Sequence, residues 1–291
     1  MIGLALAVAL AAQPGDPPKL VGAPGAMGTS VPPATVGDGR SSERGDALIE
    51  RFECARCHVM ERHGVVRDRS CVECHRAILR GELSPPPEVL DGWKRNLRHL
   101  LEVPSLRGLG GRVRPDWIAA YLLRPHDLRR GLGESMPRLA LSADDAAQIA
   151  VALTDGKLPP DAPVRRGDAT RGLAVLEAKG CASCHAFTGA RALTARPPAG
   201  VDGAVLTRGM QLAPDLRWTR DRSTAVVVDA LLVDPRAAKP DAAMPKIALS
   251  DAERADALAA IFDLVLPLAP AHEPPPRLPV LARKVRFAEV A

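Results

Sequence analysis

The sequence predicts an all-α fold built from two tandem copies of one module, the first enlarged by an insertion. Three observations predict it. Apolar residues recur at helical spacing in Ala47, Leu48, Ile49 and Phe52, in Trp117, Ile118, Tyr121 and Leu122, and in Ala146, Ile149, Ala150 and Leu153. The chain also repeats itself. Residues 44–58 (RGDALIERFECARCH) match 171–185 (RGLAVLEAKGCASCH), and Pro104, Leu106 and Pro125 recur as Pro214, Leu216 and Pro235 at one constant offset. Residues 136–142 (MPRLALS) return as 244–250 (MPKIALS). Finally, 46 positions separate His58 from Pro104 but only 29 separate His185 from Pro214, which marks an insertion in the first copy.

Taken in order, residues 1–12 contain an apolar run, Ile2 to Ala12, of signal-peptide length with small residues at Ala9 and Ala11. The run is too short to span a bilayer, and no other segment resembles a transmembrane helix. An exported protein is the expectation. Residues 13–43, rich in Pro, Gly and Ser, read as a linker. Each module then reads as helix, cysteine loop, helix, methionine-bearing loop, helix: residues 44–157 with the insertion at 59–103, and residues 165–266. Within the insertion, Glu88 to Leu101 reads as a helix with an apolar stripe of Val89, Trp93, Leu97 and Leu100, and His99 lies to its side. Residues 158–164 carry three prolines and read as a stiff connector, and residues 267–291 as a proline-rich tail.

All six cysteines fall in three Cys-x-x-Cys pairs, each followed directly by histidine: Cys54, Cys57, His58; Cys71, Cys74, His75; Cys181, Cys184, His185. The middle set sits in the insertion. Two thiols three positions apart can form thioethers with the vinyl groups of one haem, leaving the histidine beneath the iron. Zinc is the alternative, with four thiolates drawn from the first two pairs, and a redox dithiol is another. Neither explains the three histidines, and zinc leaves the isolated third pair without a purpose. Hydrophobic residues make up 46% of the chain but aromatics only 3%, which leaves room in the core for a large flat apolar group.

The formal charge of +5 first suggests a nucleic-acid or acidic-membrane partner. Three haems, each with two propionates and a positive charge only when ferric, bring the total to about −1 reduced or about +2 oxidised. The arginines are also scattered without interleaved stacking aromatics, so no nucleic-acid binding is expected.

The run Cys-x-x-Cys-His, Pro-x-Leu, proline-terminated helix, Met-Pro and last helix resembles the class I cytochrome c domain, over residues 44–156 without the insertion and again over 165–266. The resemblance implies that the carbonyls of Pro104 and Pro214 orient His58 and His185, and that Met136 and Met244 are the distal iron ligands of the first and third haems. Met60 and Met210 are the competitors. The middle haem has no Met-Pro loop of its own, so a six-coordinate iron there must borrow a histidine. His99 is the first choice because its segment is held near both His58 and Cys71; His63 and His126 remain open. The expected activity is single-electron transfer, through three covalently bound haem c groups, between redox partner proteins such as members of a membrane respiratory complex. The expected location is the periplasm or the outer face of the cytoplasmic membrane. A haem enzyme, a peroxidase or small-molecule reductase with an open site at the middle haem, is the alternative; no general-base constellation stands beside that site.

Overall fold

The computed structural model describes residues 39–63, 70–97, 101–126, 128–129 and 136–263. The leader at 1–12, most of the linker and the tail lie outside these residues, as does His99. The described residues are helical and contain no strand; the only ladder-type contact is an isolated bridge between Arg129 and Pro214. The fold is therefore all-α. No described helix is long and apolar enough to cross a membrane.

Among the described residues eleven α-helices follow in chain order: α1 Gly39–Arg51, α2 Cys71–Arg80, α3 Pro87–Asn96, α4 Pro115–Leu123, α5 Ala143–Thr154, α6 Ala169–Ala178, α7 Gly203–Leu212, α8 Thr219–Arg222, α9 Ala225–Val233, α10 Pro235–Ala238 and α11 Asp251–Asp263. Two of these differ from the sequence expectation. Helix α1 begins inside the segment read as linker, and α3 stops at Asn96, with Leu97 capping it, well short of Leu101. Helix α7 has no counterpart among the expected elements; Asp202 caps it by accepting from the amides of Ala204 and Val205.

Two hydrophobic cores result. In the first, α1 packs on α5 and α5 on α4, burying Leu48, Ile49, Ile118, Ala119, Leu122, Ile149 and Ala150. In the second, α6 packs on α11, with α9 alongside, burying Leu176, Val228, Leu232, Leu258 and Ile261. Both crossings depend on a glycine in the repeated Arg-Gly pair. A Cβ on Gly45 would overlap the Gln148 carbonyl and lie 2.6 Å from the Ala152 Cβ; one on Gly172 would overlap the Asp256 carbonyl and lie 2.7 Å from the Ala260 Cβ. The arginine before each glycine reaches the last helix of its own copy. Arg44 pairs with Asp144 and Asp145 at the start of α5, and Arg171 makes a two-pronged contact of 2.9 Å and 2.9 Å with the buried Asp256 of α11.

The two cores belong to one compact unit. Equivalent stretches meet at their junction: the Arg114 amide donates to the Arg222 carbonyl at 2.9 Å, and the Ser223 hydroxyl donates to the Arg112 carbonyl at 2.7 Å. The connector is tied in by Thr224, whose hydroxyl donates to the Pro160 carbonyl at 2.6 Å. These contacts make the second copy a fixed neighbour of the first, where a proline-rich connector alone would set only the distance between them.

Candidate functional site

The first and third cysteine motifs adopt the same turn for the same local reason. Helix α1 ends at Arg51, Glu53 turns into the left-handed region (φ 52°, ψ 39°), and Cys54–Arg56 form one 3-10 turn that continues into Cys57 and His58. In the second copy Gly180 (φ 76°) takes the place of Glu53 before the turn Cys181–Ser183. Left-handed backbone is cheap for glycine and costs a glutamate of order 1 kcal/mol or more. The turn brings the amide of His58 to 3.0 Å from the Cys54 carbonyl, and that of His185 to 2.9 Å from the Cys181 carbonyl. Each histidine is thereby folded back onto its cysteine pair.

The Pro-x-Leu segments lie against these turns. The amide of Leu106 donates to the Val59 carbonyl at 2.9 Å, and that of Leu216 to the Ala186 carbonyl at 2.9 Å. His58 Nδ1 lies 2.8 Å from the Pro104 carbonyl, and His185 Nδ1 lies 2.8 Å from the Pro214 carbonyl. A carbonyl can only accept, so Nδ1 carries the proton and Nε2 keeps its lone pair. Burial lowers the pKa of both rings, opposed by the proline carbonyls; at His185 the charge of Arg222 lowers it further and that of Asp215 raises it. Both imidazoles are thus held neutral with a free Nε2, the form that binds a metal.

Met136 borders the first core, as does Cys54, and Met244 borders the second, as does Cys181. The competing methionines sit elsewhere. Met60 is buried in the first core at 5% exposure, a packing position, and Met210 is 49% exposed.

The middle motif is built differently. Ser70 caps helix α2, its hydroxyl accepting from the Glu73 amide at 3.2 Å, and Cys71, Cys74 and His75 lie on the first turns of a regular helix. The thiols of Cys57 and Cys71 act on each other, which raises the pKa of Cys57 and lowers that of Cys71. The first and middle motifs therefore lie close together. Of the histidines left open as partners for the middle site, His63 is engaged by helix α1, with Nε2 3.0 Å from Asp46 and Nδ1 4.0 Å from Glu50. His126 donates through Nδ1 to the Arg124 carbonyl at 3.1 Å, and its Nε2 is buried without a partner.

Beside His185 opens a cavity of about 450 Å³, within the range of small-molecule and cofactor sites. Ala182, Phe187, Leu193 and Trp218 supply apolar walls, and Arg191 and Arg217 supply positive charge. The donor set at this site suits haem c: two thiols, a neutral buried imidazole, a thioether bordering the same core, and cations for propionates. Among the described residues no three His, Cys, Asp or Glu side chains gather into a metal-binding group. A haem iron takes only two protein ligands.

Glu177 shapes this cavity from outside it, a role that nothing in its sequence neighbourhood signals. Its carboxylate accepts from the Thr194 amide at 2.7 Å and from Arg191 at 3.1 Å, holding the wall segment between them. These contacts, Thr194 foremost, lower its pKa from 4.5 to about 2. A carboxylate depressed on folding contributes fully above its unfolded pKa. The tether is accordingly expected to hold at neutral pH and to weaken from about pH 4.5 down through about pH 2. In Glu177→Gln, hydrogen exchange at the Thr194 amide should be faster at neutral pH and should lose that acid dependence; unchanged exchange would remove Glu177 from this role.

No family model matches the chain, and neither the curated proteins nor the solved structures include a significant match.

Proposed function

We propose that this chain is a triheme c-type cytochrome that passes single electrons between a donor and an acceptor protein, and that it is not itself an enzyme. The supporting observation is the duplicated turn in which Cys-x-x-Cys-His folds back on itself while a proline carbonyl, 2.8 Å from Nδ1, leaves Nε2 free to bind iron. Cys54, Cys57, His58 and Met136 would hold the first haem, and Cys181, Cys184, His185 and Met244 the third. Cys71, Cys74 and His75 would hold the middle one, with His99 as its distal ligand. Each bound haem supplies a one-electron couple. The chain contributes covalent attachment, fixed histidine tautomers and a water-poor surround that tunes the potential.

The closeness of Cys57 and Cys71 favours transfer over catalysis, because haems attached to neighbouring motifs would lie near enough to act as a conducting pair. Partners would dock transiently at exposed haem edges, in the periplasm or at the outer face of the cytoplasmic membrane. Mass spectrometry of protein matured with haem-attachment machinery should show three added haems. Two would remove the middle site and none would overturn the reading. Carbon monoxide should bind none of the reduced irons in the unmodified protein and one of them in His99→Ala. Rapid stoichiometric binding to the unmodified protein would favour the enzyme reading instead, and a closed iron in His99→Ala would remove His99 as the ligand.

A further inference from the structure

Four rings form a continuous row across the junction between the two cores. Trp117 stacks on Tyr121, with centroids 5.2 Å apart and planes 20° apart. Tyr121 meets His126 edge-on at 5.3 Å, and His126 meets Trp218 at 4.6 Å. These separations are those of rings in contact. Trp117 and Tyr121 lie one turn apart on α4, and Trp117 packs against the first core, which Cys54 and Met136 also border. Trp218 belongs to the second copy and lines the cavity beside His185. The row thus runs from the core that Cys54 and Met136 border to the wall of the cavity beside His185.

Its composition is as informative as its position. The chain has three tryptophans and one tyrosine, and three of these four rings are in the row. The remaining tryptophan, Trp93, lies on α3 in the insertion. Cations fix both ends: the Arg217 guanidinium sits 4.4 Å from the Trp218 ring centre, and that of Arg222 sits 6.0 Å from that of Trp117. His126 is fixed through Nδ1 by the Arg124 carbonyl, while its Nε2 is buried without a hydrogen-bond partner.

We propose that Trp117, Tyr121, His126 and Trp218 form the coupling route for electrons between the first and third sites. The proposal rests on the haem loading put forward above. In the step, a ferrous haem at one site gives up one electron, a ferric haem at the other accepts it, and no proton moves. The rings are neither oxidised nor reduced; their π systems, in contact from end to end, lower the tunnelling barrier below that of a path with gaps.

The test uses the haem-loaded chain carrying Met244→His, which gives the third haem a distinct spectrum and a lower potential. After flash photoreduction, the rate at which electrons pass from the third to the first haem is read from their spectra. Tyr121→Leu in this background should slow that rate about tenfold or more, with potentials and melting temperature unchanged, and Tyr121→Phe should restore most of it. An unchanged rate in Tyr121→Leu overturns the route. A slowed rate accompanied by a lower melting temperature, not restored by phenylalanine, also overturns it and leaves the row as a lock between the cores. Absence of haem from the unmodified protein would instead defeat the functional reading, so the two failures are distinguishable.

Discussion

Gly172→Val is expected to lower the melting temperature of the haem-loaded protein by about 10 °C or more, the equivalent of roughly 3 kcal/mol for a domain of this size. Any Cβ at this position overlaps the Asp256 carbonyl, a backbone atom in the middle of α11 that cannot swing aside. Helix α6 would have to lift from α11, exposing Leu176 and Leu258, and Arg171 would lose its two-pronged contact with Asp256. Asp256 is 8% exposed, so removing its partner leaves a buried carboxylate short of hydrogen bonds. Gly81→Ala is the control. Gly81, unlike Gly172, has positive φ (71°), but nothing lies within 4 Å of an added Cβ, so only the backbone penalty of about 1 kcal/mol applies. Calorimetry or circular dichroism compares the two, and equal melting temperatures would show that the helices do not approach as closely as described.

Met244→His should lower the reduction potential of a single haem by roughly 0.2 V, a modest part of the ~0.8 V span that haem ligation can set. A thioether is a weak donor that favours ferrous iron, whereas imidazole stabilises the ferric state. Met136→His should do the same to a different haem, and the double variant should lower both, because the two residues border separate cores. Spectroelectrochemical titration resolves the three couples. The half-exposed Met210 offers a clear contrast, since Met210→Ala is expected to leave all three unchanged. If Met244→His shifted nothing, the ligand of the third iron would have to be sought elsewhere.

The features that were legible in the sequence are those set by neighbours along the chain. Helices α1, α4 and α5 follow from apolar periodicity, and the duplicated Cys-x-x-Cys-His, Pro-x-Leu and Met-Pro segments show two copies of one design without reference to any fold. The features read less well depend on contacts between distant segments. Helix α3 ends at Asn96, with the buried Leu97 as its cap, although the apolar pattern in the sequence itself continues to Leu100. Gly45 and Gly172 looked like minor parts of a repeat, and only the approach of α5 and α11 shows that no side chain fits there. His63 is 12 positions from His75, near enough along the chain to reach over a haem, yet Asp46 on α1 holds its Nε2 at 3.0 Å. The sequence alone therefore determined the helical class and the repeat, because each is written in residue type and local spacing. Tertiary structure alone decided how closely the helices cross, which methionines face the cores, and which rings meet between the two copies, because each depends on where segments about a hundred residues apart come to rest.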